Sequence, residues 1–192
     1  MPIEILSFNH YNAIHDAFKN ASNNIRIISP FIKPNAAKLL ANTADRLPQG
    51  TCILITRFAR EDFINAVSSL NALSELAEAG VRIIAVKRLH TKLYLFDDTI
   101  AIVGSANFTH GGLVGNLELS LMLKDESETV EQLCGYFDDL LEQACNCTEY
   151  EVDITRIEKE KELVRKCLNE RNKTSVKNET QYGADIKDPP IE

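Results

Sequence analysis

A chain of 192 residues, 44% hydrophobic and 26% charged, has the makeup of a soluble globular domain with a tail. No apolar run approaches the ~20 residues of a membrane-spanning helix, and the start, MPIEILSFNHYNAIHDAF, has none of the marks of an export signal, so a cytoplasmic protein without stable membrane insertion is expected. The net charge of −7 argues against a polyanionic partner only until it is divided: residues 1–116 carry 11 Lys/Arg against 9 Asp/Glu, and residues 117–192 carry 10 against 19.

Taken in order, Ile3 to Phe8 alternates as a strand, and Asn9 offers a cap for a helix whose apolar face is read as Tyr11, Ile14 and Phe18. The β-branched run Asn24 to Ser29 predicts a strand ended by Pro30, and Pro34 suits the first turn of a helix to about Leu47. Thr51 to Thr56 reads as a buried strand. Phe63, Val67, Leu70, Leu73 and Ala77 keep helical spacing, predicting one long helix from Glu61 to Ala79 that Gly80 stops. Strands follow at Val81–Val86, His90–Phe96, Thr99–Val103 and Leu117–Leu123. Alternation of strand and helix, then a run of strands, implies an α/β sandwich around a mixed β-sheet flanked by helices.

The remaining sequence predicts an amphipathic helix over 125–146, packed on the sheet through Val130, Leu133, Phe137, Leu140, Leu141 and Ala144. A second helix, about Tyr150 to Leu168, carries a narrow stripe of Ile154, Ile157, Val164 and Leu168 that suits either its own domain or a second subunit. Residues 1–147 are therefore expected to form the main domain, 148–170 a C-terminal helix, and 171–192 a polar, disordered tail. The five cysteines (Cys52, Cys134, Cys145, Cys147, Cys167) are odd in number and include no CxxC pair, which favours reduced thiols over disulfides or a metal site.

The chemistry concentrates between His90 and Glu118, HTKLYLFDDTIAIVGSANFTHGGLVGNLE. Strand alternation puts His90 and Lys92 on one face and Asp97 on the other, which gives Asp97 a structural role. The same alternation separates Leu117, Leu119, Leu121 and Leu123 from Glu118 and Ser120. Gly104, Ser105 and Asn107 can bring a hydroxyl, an amide and close backbone N–H groups to one phosphate oxygen. Lys92 adds positive charge, and His90 can attack phosphorus through one ring nitrogen while the other donates to a carboxylate such as Glu118. This inventory calls for no metal and no cofactor. Lys87, Arg88, Ser29 and Arg57 are candidates for the rim of the cleft, whereas His10, His15 and His110 are assigned to packing or solvent.

His90-x-Lys92, four residues, Asp97, six residues and Gly104-Ser105-x-Asn107 fix six positions across eighteen residues, and Asn116 and Glu118 extend them. The pattern resembles the signature of the phospholipase D superfamily. The resemblance implies a PLD-like sandwich and a metal-independent phosphodiesterase with His90, Lys92, Ser105, Asn107 and Glu118 at its site, Asp97, Gly104 and Asn116 completing the motif. One imidazole cannot both attack phosphorus and protonate the leaving oxygen in one step, and the chain has one signature. A homodimer is therefore expected, with the second His90 from the other subunit; the short single-signature members this chain most resembles are homodimeric nucleases. Nucleic acid is the expected substrate. A phospholipid hydrolase or phosphatidyl transferase, and a nucleic-acid-binding module with little turnover, are the alternatives.

Overall fold

A computed structural model describes residues 3–7, 10–124, 127–171 and 181–185. Its centre is a seven-stranded mixed sheet built from β1 (Ile3–Leu6), β2 (Ile25–Ile28), β3 (Cys52–Thr56), β5 (Arg82–Ala85), β6 (Leu93–Phe96), β7 (Ile100–Gly104) and β8 (Ser120–Lys124) in the order β1-β8-β7-β6-β2-β3-β5. The trio β2, β3 and β5 is parallel; β2-β6, β6-β7, β7-β8 and β8-β1 are antiparallel. The β-branched runs of the middle strands are buried on both faces, as a sheet covered by helices on each side requires.

One face packs Ile25, Ile27, Leu54, Ile83, Tyr94 and Phe96 against α1 (His10–Asn20), α2 (Pro34–Ala44) and α4 (Leu70–Glu78). The other packs Ile55, Ile84, Leu93, Leu95 and Ala101 against Val130, Phe137, Leu140 and Ala144 of α5 (Ser127–Cys145). The expected α/β sandwich is therefore present. Arg26 spans from β2 to α5, with ion pairs of 2.6 Å to both Asp98 and Asp138. All five cysteines are free thiols, and burial pushes that of Cys52 up to about 11.

Several expectations change. The long helix from Glu61 to Ala79 is broken into α3 (Arg60–Ile64), which follows the two-residue β4 (Phe58–Ala59), and α4. Between them Ala66 takes φ 54°, and Val67 and Ser68 both donate their N–H to the Asp62 carbonyl. Ser68 Oγ accepts from Ile32 N, and Ser69 caps α4 by accepting from Ala72 N at 3.3 Å. Two serines with tertiary and capping bonds outweigh the apolar spacing that runs through the break.

The apolar face of α1 also shifts by one residue: His10 is buried with Ile14, Ala17 and Phe18, while Tyr11 is exposed and stacks on His15. The proposed Asn9 cap lies outside the described residues, as do Phe8 and residues 125–126. The stripe of α6 (Ile154–Arg171) divides: Ile157 and Val164 are buried beside α4 on its own domain while Ile154 and Leu168 stay exposed, and Glu160 pairs with Arg60 of α3.

Part of the segment expected to be disordered lies on the domain. β9 (Gln181–Tyr182) pairs antiparallel with β4, and Ala184 exchanges backbone bonds with Ala85 and Lys87. Gly183, at φ 132°, passes so close to the Ala85 backbone that a Cβ would collide with it. Backbone pairing with an open sheet edge is available to polar residues, so composition did not reveal it. The rest of 172–192 lies outside the described residues.

Candidate active site

The strand registers gather the signature at one end of the sheet. Leu93 lies opposite both Ile28 and Val103, while Gly104 and Leu6 both lie opposite Ser120. The residues just beyond these positions, and beyond the carboxyl ends of the parallel strands, therefore converge on one edge, where ligands of open α/β sheets bind.

His90 stands exposed on the loop before β6, and Lys92 at its base is only 6% exposed. The strand thus begins at Leu93, three residues later than expected. The Lys92 Nζ donates to the His90 carbonyl at 2.6 Å and lies 3.1 Å from Nδ1 and 3.3 Å from Nε2 of the ring. Burial lowers the Lys92 pKa, and the negative charge of Glu118 works against that fall. A half-desolvated ammonium against an imidazole is a site for an anion: a bound phosphate oxygen could take the hydrogen bonds that Nζ now shares among the His90 atoms.

Asn107 is held from three sides. Buried Tyr94 donates its hydroxyl to the Ala106 carbonyl at 2.8 Å, Phe108 N donates to Ser29 Oγ at 2.9 Å, and Gly112 packs on the Asn107 backbone so closely that a Cβ would sit 2.3 Å from its carbonyl oxygen. That approach is made by a single π-helical turn, Gly111–Gly115, absent from the expected elements. Asn107 Oδ1 is buried without a hydrogen-bond partner among the described residues.

Glu118 has a different neighbour from the one expected. It accepts from Ser105 Oγ and, at 3.1 Å, from Asn116 Nδ2; among the described residues no hydrogen bond joins it to His90. Side chains do not alternate here as in a strand, because β8 begins only at Ser120. Leu119 N instead donates to Ser105 Oγ at 3.0 Å, clamping the turn after β7 to the approach of β8. Ser105 therefore spends its proton on Glu118, and Asn116 joins this carboxylate network.

Behind it lies a residue the sequence reading set aside. His10, 2% exposed, has its Nε2 3.0 Å from Ser120 Oγ; burial lowers its pKa, against the pull of the Glu118 charge. Its spacing of four from Ile14 and eight from Phe18 was the available signal. Lys92, Tyr94 and His10 all feel the Glu118 carboxylate, which places it centrally in the site's field.

Asp97 stays at the far end of β6. Its carboxylate accepts from Ser22 N, Ser22 Oγ, Asn23 N and Asn24 N at 2.8–3.0 Å. Burial raises its pKa, but these bonds outweigh it and the net direction is down. The rim candidates divide. Ser29 is fully buried and bonded to Phe31 O and Phe108 N, so it braces the site and does not line a cleft. Arg57 pairs with Asp62 at 2.9 Å and lies over the Phe31 ring. Lys87 is half-buried, and exposed Arg88 pairs with Asp185 at 2.6 Å.

Residues 14–141 match the family model described as cardiolipin synthase, PLD-like domain. The chain belongs to the phospholipase D superfamily. It is 32% identical over 151 residues to cardiolipin synthase A of Pseudomonas putida (strain GB-1), an alignment covering 77% of this chain and 30% of that protein. The chain thus spans under a third of the length of that curated relative. The phospholipase D fold is shared with Nuc of Salmonella typhimurium, described as a phospholipase D family member, at a TM-score of 0.59 and 18% identity over 73% of this chain and 95% of Nuc. It is shared too with phosphatidylserine synthase of Haemophilus influenzae, at a TM-score of 0.60 and 15% identity over 94% of this chain and 47% of that one. Among the described residues no helix is long and apolar enough to cross a membrane.

Proposed function

We propose that this chain is a phosphodiesterase that cleaves nucleic acid through a covalent phosphohistidine on His90, at a site completed by a second copy of the chain. The observation that carries the reading is the buried Lys92 ammonium against the exposed His90 imidazole. A ring nitrogen of His90 attacks phosphorus; a P–N bond forms as the P–O bond to the leaving group breaks. The second copy's His90, protonated, gives its proton to the departing oxygen. Water then attacks phosphorus, loses a proton to that same imidazole, and the P–N bond breaks. Lys92 and Asn107 hold the phosphate oxygens, while Glu118 holds Ser105 and the turn that carries it.

A row of apolar residues beside the site supports the second copy. Ile5, 67% exposed, lies opposite exposed Leu121 across β1 and β8, and Leu117 and Leu119 extend the row toward Glu118. Burying such a row against its symmetry mate would remove apolar area from water next to the half-site.

The identity to cardiolipin synthase A favours a second reading, phosphatidyl transfer between phospholipids. One assay separates the two: plasmid, single-stranded DNA, RNA and phosphatidylglycerol vesicles, each with excess EDTA, with His90→Ala as control. Nucleic-acid cleavage lost in His90→Ala, with an acid-labile phosphoryl adduct in the parent, supports the first reading. Vesicle turnover with intact nucleic acid replaces it with the second, and cleavage that needs added magnesium removes the mechanism.

A further inference from the structure

Asn107 also forms one wall of a groove for which the proposed chemistry has no use. This groove, about 480 Å³, is bounded by Phe31, Pro34 and Val67, with Lys33 and His110 at its margins. The Arg57 guanidinium lies 5.3 Å from the Phe31 ring centroid and is itself held by Asp62, so the aromatic wall is braced in place. A second groove of about 500 Å³ shares Lys33 and Pro34 and continues to α6, where Lys161, Arg165 and Leu168 line it. Val67 and Leu168 are 41% and 44% exposed, and Val67 owes this to the break between α3 and α4.

We infer that the two grooves form a continuous track for an unpaired nucleic-acid strand flanking the scissile phosphate. The inference rests on the nucleic-acid reading above and names the form of the substrate. A single strand presents, at each nucleotide, a flat apolar face and a charge, and proteins that hold it set aromatic or apolar platforms beside a basic groove. Here Phe31, Val67 and Leu168 are the platforms, and Lys33, Lys161 and Arg165 are the cations. Lys33 Nζ donates to the Ala66 carbonyl and Lys161 pairs with Glu158 at 2.7 Å, so a phosphate would share the first and compete for the second, and exposed Arg165 carries the charge test. A duplex keeps its base faces stacked inside and would leave the platforms idle. An acyl chain would use the platforms and leave the cations idle.

The test measures binding of a short fluorescein-labelled oligonucleotide by anisotropy, single-stranded and as a duplex, in the His90→Ala background so that nothing is cut. Val67→Glu and Arg165→Glu change exposed side chains, and thermal melts confirm that both fold. Each is expected to weaken single-strand binding about tenfold or more, and Arg165→Glu to flatten the salt dependence by about one phosphate contact or more. Lys166→Glu, the same charge change on α6 outside the grooves, leaves affinity unchanged. Unaltered affinity in the groove variants, an equal loss in Lys166→Glu, or tighter binding of the duplex overturns the track while leaving the phosphodiesterase reading standing. If the parent binds phosphatidylglycerol vesicles and neither form of DNA, track and nuclease reading fall together.

Discussion

The two ends of β6 treat charge in opposite ways. At Asp97 the carboxylate takes up four donors from Ser22 to Asn24, and Asp97 and Asp98 have φ of 52° and 56° in the three-residue turn to β7, which Thr99 N closes by donating to the Phe96 carbonyl at 3.1 Å. At Lys92, four apolar residues away, a buried ammonium has, among the described residues, a carbonyl and an imidazole within hydrogen-bond reach, and the Glu118 charge it feels is committed to Ser105 and Asn116. One end spends its charge on the fold. The other keeps it for an incoming anion. A single short signature thus contains a structural half and a chemical half, and substitutions should separate them.

The largest separation is expected at His90. On the proposed mechanism His90→Ala removes the nucleophile and lowers turnover by about 10³- to 10⁶-fold, while a melting curve stays where it was because the side chain is exposed. Retained cleavage in that variant would end the division at its chemical end. Lys92→Met is expected to cost about 10²- to 10³-fold in turnover. It also gives the pH test. Burial lowers the Lys92 pKa, so the protonated form is lost as pH rises through a value below the ordinary 10.5. The alkaline limb of the rate profile should fall below that value in the parent and move upward in Lys92→Arg; a limb unchanged by the arginine would assign it to another group.

How much of this division was legible in the sequence depends on what kind of force sets each part. The sheet and the α5 stripe follow from apolar periodicity, and both could be read. The signature spacing marked His90, Lys92 and Asn107 as one group, and Asp97 lies away from His90 and Lys92 for a reason other than parity: β6 runs only from Leu93 to Phe96, so both ends of the motif fall outside the strand and Asp97 sits in the turn beyond it. Glu118 was misplaced because parity was carried into Leu117–Leu119, where Ser105 bonds and not a ladder set the backbone. The break at Asn65–Ser69 depends on Ser68 reaching Ile32, a contact between residues 36 apart in the chain. Ser29 was expected at a rim and lies buried, because Phe108 N needs an acceptor there. Long-range polar bonds of this kind have no periodicity to betray them.

A smaller effect, and one of stability, is expected from Asp97. With the folded pKa below the ordinary 3.8, the carboxylate contributes stability that is present above that value and is lost as pH falls through the folded one. Asp97→Asn should destabilise at neutral pH by about 1–3 kcal/mol, the worth of hydrogen bonds to a charged acceptor, and should flatten the loss on acidification. Its turnover, measured where it is still folded, should stay within a few-fold of the parent. A stable Asp97→Asn protein with abolished turnover would place Asp97 in the chemistry and erase the contrast between the two ends.

The smallest expected effect lies at His10, which belongs to neither end and links the chemical half to α1. Its bond to Ser120 holds the residue opposite Gly104, and Gly104 leads directly into Ser105. Burial sets its folded pKa below the ordinary 6.5, so the unfolded chain takes up a proton first on acidification. Stability from the neutral ring is therefore complete above 6.5 and declines as pH falls toward the folded value. His10→Gln can keep a bond to Ser120 without titrating, so the gap between parent and variant melting temperatures should change between neutral and mildly acid pH by about 2–4 °C, the equivalent of about 1 kcal/mol in a domain of this size. A gap that stays constant across that range would mean that the ring does not change charge there. His10 would then serve as a neutral strut, and the pH response of the site would belong to Lys92 alone.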